Sequence, residues 1–246
     1  MFSFFYTEKI ANYVLENNEL YQEIEKEKDN YEIASVNAEI DGENIIPGLN
    51  GRVVDVKDSY YNMKDIEIFN SYYLMYDTTY PKVSLNSNVD KIIKQGNSLK
   101  RSVSFILEYD PDIVSFFTSN NYPASVVVDI DDFSQDCQLE QLNGETAKFD
   151  DLDALLSKYG TNSNVCYVSN GNLDICKKNS KYLVETDKII NNSTIIDIKN
   201  NIESGDIYYV NKNTDTKSIQ LIINSIIYKD LEIVEISDLI SEDYVD

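Results

Sequence analysis

The second part of this sequence predicts an α/β domain with a mostly parallel sheet, either open or closed into a barrel. From residue 101 to residue 246, short apolar runs of strand length alternate with segments of helical periodicity. The first run covers 103–108, and Asp110 and Pro111 then supply a helix cap and a first-turn proline. Apolar strands that are buried on both faces and joined by helices are typical of parallel sheets.

Further strands and helices follow in alternation. Apolar runs predict strands at 124–130, 165–168, 207–210 and 231–236. Capping residues and helical periodicity predict helices after Asp110, after Asp150, over 195–203 with an end at Gly205, over 216–229, and after Ser237. The alternation continues without a repeat or a low-complexity linker, so we assign 98–246 to a single domain.

The first 97 residues follow a different pattern. Apolar spacing predicts one helix over 7–28. A small α+β region is predicted next. Its short alternating segments lie at 33–40, 52–56, 72–76 and 82–85, and a short helix covers 58–66. The sequence therefore predicts three segments, namely an N-terminal helix over 1–29, an extension with short strands over 30–97, and the α/β domain over 98–246.

The first six residues, MFSFFY, are strongly apolar and aromatic. No basic region precedes them, and they are far too few to span a bilayer, which takes about 20 residues. They are either the tail of a membrane anchor that starts upstream of Met1 or the apolar beginning of the first helix.

The chain is acidic, with 43 Asp and Glu against 21 Lys and Arg and a formal net charge of -22. A surface this negative repels phosphate backbones and anionic lipid head groups, so the sequence argues against nucleic-acid binding. It favours basic partners or loosely held divalent cations, although solubility is the simpler explanation.

The cysteine and histidine content restricts the chemistry. The chain has no histidine and three cysteines, so a structural zinc site would lack its fourth ligand and a serine or cysteine nucleophile would lack an imidazole base. Cys166 and Cys176 flank a polar, turn-rich stretch, so they could form a disulfide in an oxidising compartment. Two buried free thiols are the alternative.

Polar residues at the carboxyl ends of the predicted strands are the candidate site, because active sites of parallel α/β domains lie there. They are Glu108, Tyr109, Asp110, Asp129, Asp131, Asp132, Ser169, Asn170, Asn211 and Asn213. Carboxylates such as Glu108, Asp110 and Asp129 could act as acid and base or bind a hard cation through oxygen. A solvated acidic loop is the competing interpretation.

An aromatic group precedes this domain and consists of Tyr60, Tyr61, Phe69, Tyr72, Tyr73 and Tyr76. These rings could form a surface that stacks on carbohydrate. Packing inside the N-terminal region is the other interpretation, because aromatic side chains bury large areas.

The segment 103–130, VSFILEYDPDIVSFFTSNNYPASVVVDI, resembles the opening of the polysaccharide deacetylase (NodB-homology) domain. In that family the first strand ends in a Thr-Phe-Asp-Asp-Gly-type motif, and a helix and a strand reading roughly Ala-Thr-Phe-Phe-Val follow. The closing segment 231–240, LEIVEISDLI, is similar to the family's last strand and final helix. The resemblance implies a degenerate (β/α) barrel, with an incomplete ring as one form, because about 145 residues is short beside the roughly 250 of a full barrel.

The upstream segment 45–64, IIPGLNGRVVDVKDSYYNMK, resembles an N-terminal extension found in a low-GC Gram-positive subset of these proteins. That subset is similar in carrying an N-terminal membrane anchor. The resemblance implies that 1–29 is a candidate anchor remnant and that the protein is held at the outer face of the membrane or in the cell envelope, with a cytoplasmic location as the alternative.

The departures from the family motifs bear on activity. The enzymes need an aspartate base, an aspartate metal ligand and two histidine ligands, plus a later histidine. Here only Glu108 and Asp110 stand near the aspartate motif, 144–151 (GETAKFDD) contains no histidine, and Asn211 stands where the later histidine is expected.

The resemblance therefore implies a catalytically inactive homologue that binds a cell-envelope glycan or protein, with no cofactor or metal expected beyond a weakly held divalent cation. One alternative is residual metal-dependent deacetylase or esterase activity that uses carboxylates only. Another is a structural or assembly protein of the envelope.

Overall fold

A computed structural model of the chain describes residues 15–159, 164–169 and 171–243. The predictions for the aromatic segment 1–6, the start of the first helix and Asn170 lie outside these residues. The described part divides into two compact units. One combines residues up to Val36 with Asn50–Lys82, and the other combines Asn37–Leu49 with the chain from Val83 onward.

The helices are α1 (Glu19–Glu27), α2 (Val56–Met63), α3 (Pro111–Ser119), α4 (Phe149–Tyr159), α5 (Leu173–Lys178), α6 (Ile195–Asn200), α7 (Thr216–Tyr228) and α8 (Ile236–Ile240). Short 3₁₀ turns lie at Lys28–Asn30, Ser71–Tyr73, Leu85–Ser87 and Ser98–Lys100. The strands are β1 (Glu39–Asp41), β2 (Asn44–Ile46), β3 (Gly51–Asp55), β4 (Met75–Thr79), β5 (Ile92–Ile93), β6 (Ser102–Glu108), β7 (Ser125–Val128), β8 (Glu140–Asn143), β9 (Val165–Tyr167), β10 (Tyr182–Val184), β11 (Ile189–Ile190), β12 (Ile207–Val210) and β13 (Glu232–Val234).

The smaller unit consists of α1, α2 and the antiparallel pair β3–β4. Its core contains Leu20 and Ile24 of α1, packed with Val54, Met63 and Leu74. The predicted aromatic group divides between two roles. Tyr60 and Phe69 pack on this core, while the rings listed next are exposed: Tyr61, Tyr72, Tyr73 and Tyr76.

The larger unit contains two sheets. The first has the order β11-β12-β6-β7-β8, with β13 also paired to β6, and all of its ladders are parallel. The second has the order β1-β2-β5-β10-β9 and is parallel except for the β1–β2 hairpin, which turns at Gly42 and Glu43.

Both sheets line one interior, in the strand order of a (β/α) barrel. Ile106 of β6, Val165 of β9 and Ile207 of β12 share a single buried cluster. Within the described residues, the ladders break between β8 and β9 and between β10 and β11, where β10 pairs instead with β5. The ring formed by the described strands is therefore not closed, and the predicted degenerate α/β barrel, with an incomplete ring, is confirmed.

Strand β6 shows why the apolar runs indicated parallel strands. Val103, Phe105 and Leu107 face the helices, where α3 and α7 cover them, and Ile106 faces the interior. All six residues from 102 to 107 are buried. A strand that is covered on both faces cannot show polar alternation, so it reads as a continuous apolar run.

The C-terminal helix α8 packs into the barrel interior through Ile236, Leu239 and Ile240. The Ile236 N–H donates to Oγ of Ser125, the first residue of β7, at 3.0 Å, which places α8 at the amino ends of the strands. The prediction that Ser237 caps this helix was wrong by two residues, because the cap position is Glu235.

Several other predicted boundaries differ from the structure. The segment 82–85 forms no strand, and most of 33–40 is irregular apart from the Ile33–Arg52 bridge and β1. Six elements were not predicted, namely β2, β5, β8, α5, β10 and β11. The division of the chain at 29 and 97 remains a prediction about its linear organisation. Among the described residues, no helix combines the length and apolar character needed to cross a bilayer.

Candidate functional site

The barrel mouth lies at the carboxyl ends of the parallel strands. Side chains alternate between the two faces of a strand, so Glu108 lies on the same face of β6 as the inward Ile106. The same alternation places Asp129 on the side of the inward Val127, just beyond β7. Tyr167 at the end of β9 and Tyr209 near the end of β12 contribute half-buried rings.

Glu108 is engaged on both carboxylate oxygens. One accepts a hydrogen bond from the Lys212 N–H at 3.0 Å, and the other lies 3.1 Å from the Lys212 ammonium. Lys212 follows β12, so its contacts with Glu108 join the end of β6 to the loop after the neighbouring strand β12. The carboxylate is thus already paired with a cation that belongs to the chain itself.

Asp110 has a structural role at the start of α3. Its Oδ1 accepts hydrogen bonds from the N–H groups of Asp112 at 2.9 Å and Ile113 at 3.3 Å, and its Oδ2 accepts one from the Asn213 N–H at 3.1 Å. These donors, led by the Asn213 N–H, lower the pKa of Asp110, because they stabilise the charged carboxylate. Asp110 therefore caps a helix and fastens the loop after β12.

Asp129 lies in an acidic environment. Burial raises the pKa of its carboxyl, and the neighbouring carboxylates of Glu145, Asp132 and Asp131 raise it further. The backbone beside it is tightly packed, because a β-carbon placed on Gly144 would lie 2.6 Å from Val127 Cγ1 and 3.3 Å from Asp129 Oδ1. Gly144, the first residue of the segment 144–151 in which the family's histidines were expected, therefore has no room for a side chain.

The rings of Tyr167 and Tyr209 stack across the interior, with centroids 4.6 Å apart and planes inclined by 8°. Burial, with the carboxylates of Glu185 and Asp187, raises the pKa of Tyr167 to about 12. Burial also raises the pKa of Tyr209, with a further contribution from Glu108. Both hydroxyls are therefore neutral near pH 7 and can donate and accept hydrogen bonds. Sequence reasoning did not select this pair, although strand alternation from Val165 and Ile207 places both rings inward.

The disulfide joins Cys166 of β9 to Cys176 of α5, with their Cα atoms 6.0 Å apart and both side chains buried. The neighbouring turn is held by Asn172, which donates to the Tyr167 carbonyl at 2.9 Å and accepts from the Ser169 N–H at 2.9 Å. The disulfide and this turn together fix the strand end that carries the Tyr167 ring. The third cysteine, Cys137, is a half-buried free thiol.

The remaining predicted residues do not converge on one point. Ser169 is exposed after β9, and Asp131 and Asp132 belong to the loop after β7. The Asn211 N–H donates to the Ile190 carbonyl at 3.1 Å. Within the described ranges, no group of three or more His, Cys, Asp or Glu side chains is arranged to hold a metal ion.

Comparison with solved structures identifies the architecture. A crystal structure of a mutant of BA3943, described as a CE4 family pseudoenzyme, superposes with a TM-score of 0.66 at 18% identity, covering 92% of this chain and 99% of that chain. Wild-type BA3943 from Bacillus anthracis superposes with a TM-score of 0.64 at 19% identity, covering 92% of this chain and 96% of that chain. The chain has the CE4 fold. The resemblance to the polysaccharide deacetylases, which make up the CE4 family, is thereby confirmed as a likeness of fold.

The sequence comparisons are narrower. The protein is 36% identical over 89 residues to a curated Bacillus subtilis (strain 168) protein described as "Uncharacterized protein YlxY". The match covers 36% of this chain and 28% of that protein, so it concerns little more than a quarter of the relative's length. No family model matches the chain.

The residues at the mouth do not fit the metal that CE4 enzymes use. The whole sequence contains no imidazole, and the carboxylates of Glu108 and Asp110 already accept hydrogen bonds from the loop after β12. Gly144 cannot be replaced by a ligand-bearing residue without displacing Val127. We therefore derive no metal-dependent step at this site, and the expected lack of a cofactor remains a prediction.

Proposed function

We propose that this protein is a catalytically inactive homologue of the polysaccharide deacetylases and acts as a binding module for a cell-envelope glycan. The main observation in favour is the engagement of the carboxylates at the mouth. The three candidates for residual chemistry are Glu108, Asp110 and Asp129, and the first two hold the loop after β12 in place.

The engagement of Glu108 and Asp110 argues against a role as a base. A hydrogen bond to a partly exposed charged group contributes about 1 kcal/mol, so each carboxylate would lose this stabilisation on leaving its N–H donor. The Lys212 ammonium also lies 3.1 Å from the second carboxylate oxygen of Glu108, so both oxygens already have partners within the chain. Only Asp129 lacks such a donor among the contacts found in the described chain, and one carboxylate cannot assemble a metal site.

Support for glycan binding comes from the surface that remains. The stacked rings of Tyr167 and Tyr209 form an aromatic floor, and their neutral hydroxyls add hydrogen-bonding groups. Carboxylates at the rim, such as Glu145, can accept hydrogen bonds from sugar hydroxyls. Ligand sites commonly combine apolar or aromatic surface with a few polar groups.

Binding of soluble N-acetylglucosamine oligosaccharides, measured by calorimetry, tests this role. Tyr167→Ala and Tyr209→Ala should each weaken binding at least tenfold, because each removes half of the floor. Tyr228→Ala is the matched control, since Tyr228 is 91% exposed on α7. A complete lack of binding, or equal loss in the control, would contradict the proposal.

The rival function is residual carboxylate-dependent deacetylase or esterase activity. Release of acetate from acetylated glycans with added Zn²⁺, Co²⁺ or Mn²⁺ distinguishes the two. We expect no turnover. Metal-dependent turnover that disappears in Asp110→Asn would establish the enzyme. One mutant of the pseudoenzyme BA3943 is described as having restored enzymatic activity, so activity is a realistic alternative to test in a protein of this fold.

A structural or assembly role is the second alternative, and the net charge of -22 favours a basic partner for it. Failure to bind glycans on an array, together with reproducible recovery of one envelope protein in a pull-down, would favour that role.

We propose that the protein lies at the outer face of the membrane or in the envelope. The buried disulfide supports this location, because structural disulfides persist in oxidising compartments. Mass spectrometry of non-reduced protein from cells is the test, and free thiols at both Cys166 and Cys176 would remove this support.

A further inference from the structure

A cavity lies outside the barrel, between α3 and the loop that joins β7 to β8. Its volume is about 340 Å³, within the range of small-molecule sites. Its floor lies over Val126 and Val128, which are almost fully buried and belong to the cluster between the sheet and the helices. Because these side chains face away from the barrel interior, the cavity is separate from the mouth that carries Tyr167 and Tyr209.

The walls of the cavity are largely carbon. Tyr109, Pro111 and Val114 line the side towards α3, and Cys137 lines the side towards the loop. Tyr109, Val114 and Cys137 are only partly buried where they pack on the core cluster. A ligand that covers this apolar surface gains the free energy of releasing water from it.

Two polar side chains that line the cavity, Gln141 and Thr118, already form hydrogen bonds with other groups of the protein. The Gln141 side chain accepts from the Ser134 N–H at 3.1 Å and donates to the Ser134 carbonyl at 2.7 Å. The Thr118 hydroxyl donates to the Val114 carbonyl at 2.8 Å. The Gln141 bonds hold the loop over the floor, so the cavity has a fixed wall on that side.

The charges that line the cavity are negative. Asp132 and Asp136 contribute carboxylates, and no lysine or arginine is among the described lining residues. Neither carboxylate makes a side-chain hydrogen bond or ion pair within the described chain. An apolar floor beneath unpaired carboxylates complements an apolar body that carries a positive charge.

We infer that this cavity binds a small organic cation, with its apolar body against Tyr109, Pro111 and Val114 and its ammonium beside Asp132 and Asp136. A neutral apolar molecule would use the floor but not the carboxylates, and an organic anion would be repelled. This site does not depend on the proposed glycan binding, because it shares none of the residues of the aromatic floor.

The probe is 2-phenylethylamine, with phenylacetate and ethylbenzene as the anionic and neutral comparators. Binding is measured by NMR titration of the full chain in phosphate buffer, since Tris is itself an ammonium ion. We expect the amine to bind at least tenfold more tightly than phenylacetate. Equal binding of the three compounds, or no binding of the amine, would overturn the inference.

Paired variants locate the site. The double variant Asp132→Asn, Asp136→Asn should weaken amine binding about fivefold, a loss typical of partly exposed charge pairs. Asp131→Asn is the matched control, because Asp131 lies in the same loop but does not line the cavity. An equal loss in the control would show a general charge effect and would overturn the site.

Cys137 provides a readout in the unmodified protein, which avoids variants that fail to fold. A ligand in the cavity covers the Cys137 thiol, so saturating 2-phenylethylamine should slow alkylation by iodoacetamide at least threefold, while phenylacetate at the same concentration should not. Unchanged alkylation in the presence of bound amine would place the ligand elsewhere and would refute the assignment.

Discussion

Replacing Asp110 separates a structural role from a chemical one. In Asp110→Ala the helix cap is lost, which costs about 1 kcal/mol, and the hydrogen bond from the Asn213 N–H is lost as well. That second bond is to a charged but partly exposed group, so we assign it about 1 kcal/mol. The expected loss in the free energy of unfolding is therefore about 2 kcal/mol, or about 4–8 °C in Tm for a domain of this size.

Asp110→Asn should be milder, with a loss of about 1 kcal/mol, because asparagine can keep the helix cap but its amide NH2 cannot accept the hydrogen bond from the Asn213 N–H. Urea unfolding followed by circular dichroism measures both variants, with the midpoint shifting at constant slope. Asp112→Ala is the control, since Asp112 lies in the first turn of α3 without being the cap. If Asp110→Ala unfolds at the wild-type midpoint, or if Asp110→Asn is as damaging as Asp110→Ala, the structural assignment is wrong.

The contribution of Asp110 to the free energy of unfolding should fall as the pH is lowered. Its folded-state pKa is lowered, so its stabilising contribution is complete above the unfolded pKa and is lost as pH falls through the folded pKa. The wild-type advantage over Asp110→Asn should therefore shrink as pH falls below about 4, the unfolded value for an aspartate. An advantage that grows on acidification would contradict the hydrogen bonding described above.

Three further changes test other parts of the fold. Gly144→Ala should cost about 1–3 kcal/mol, because its β-carbon would lie 2.6 Å from Val127 Cγ1, and an unchanged urea midpoint would contradict that packing. Reduction of the Cys166–Cys176 disulfide should lower the unfolding free energy by about 2–3 kcal/mol, measured as a Tm difference with and without dithiothreitol that Cys166→Ser abolishes. Burial lowers the pKa of Lys100 to about 8, so the folded state binds this proton less tightly than the unfolded state does. Stability should therefore rise between about pH 8 and pH 10 relative to Lys100→Met, and a relative fall over this range would refute the burial.

The long apolar elements were predictable because their packing requires a simple pattern. Strand β6 is covered on both faces, and α7 buries Ile219, Ile222, Ile223 and Ile226 at helical spacing. The family resemblance then indicated the barrel order of the strands.

Strand β8 could not be recognised from its sequence, EQLN. Its polar residues are buried, because Gln141 bonds to Ser134 and the Asn143 side chain donates to the Phe149 carbonyl at 2.9 Å. Those partners exist only after the neighbouring segments have folded. The pairing of β10 with β5 was hidden for a related reason, since it joins segments about 90 residues apart in the chain.

The organisation of the candidate site was not predictable from the sequence. Glu108 ends β6, Asp110 caps α3 and Asp129 follows β7, and their assignment to a functional site remains a prediction. Pattern alone gave no indication that Lys212 would neutralise Glu108 or that Tyr167 would stack on Tyr209. These pairs lie far apart along the chain, so local periodicity does not reveal them.

The amino-acid sequence by itself determined the α/β class and the absence of imidazole chemistry, because composition and local periodicity are properties of the chain before it folds. Only the tertiary structure decided which carboxylates are engaged, which tyrosine rings stack on each other, and where the ring of described strands stays open. Those outcomes depend on contacts between segments that are distant in the chain. Burial and hydrogen bonding at these contacts stabilise the protein only after the segments have come together.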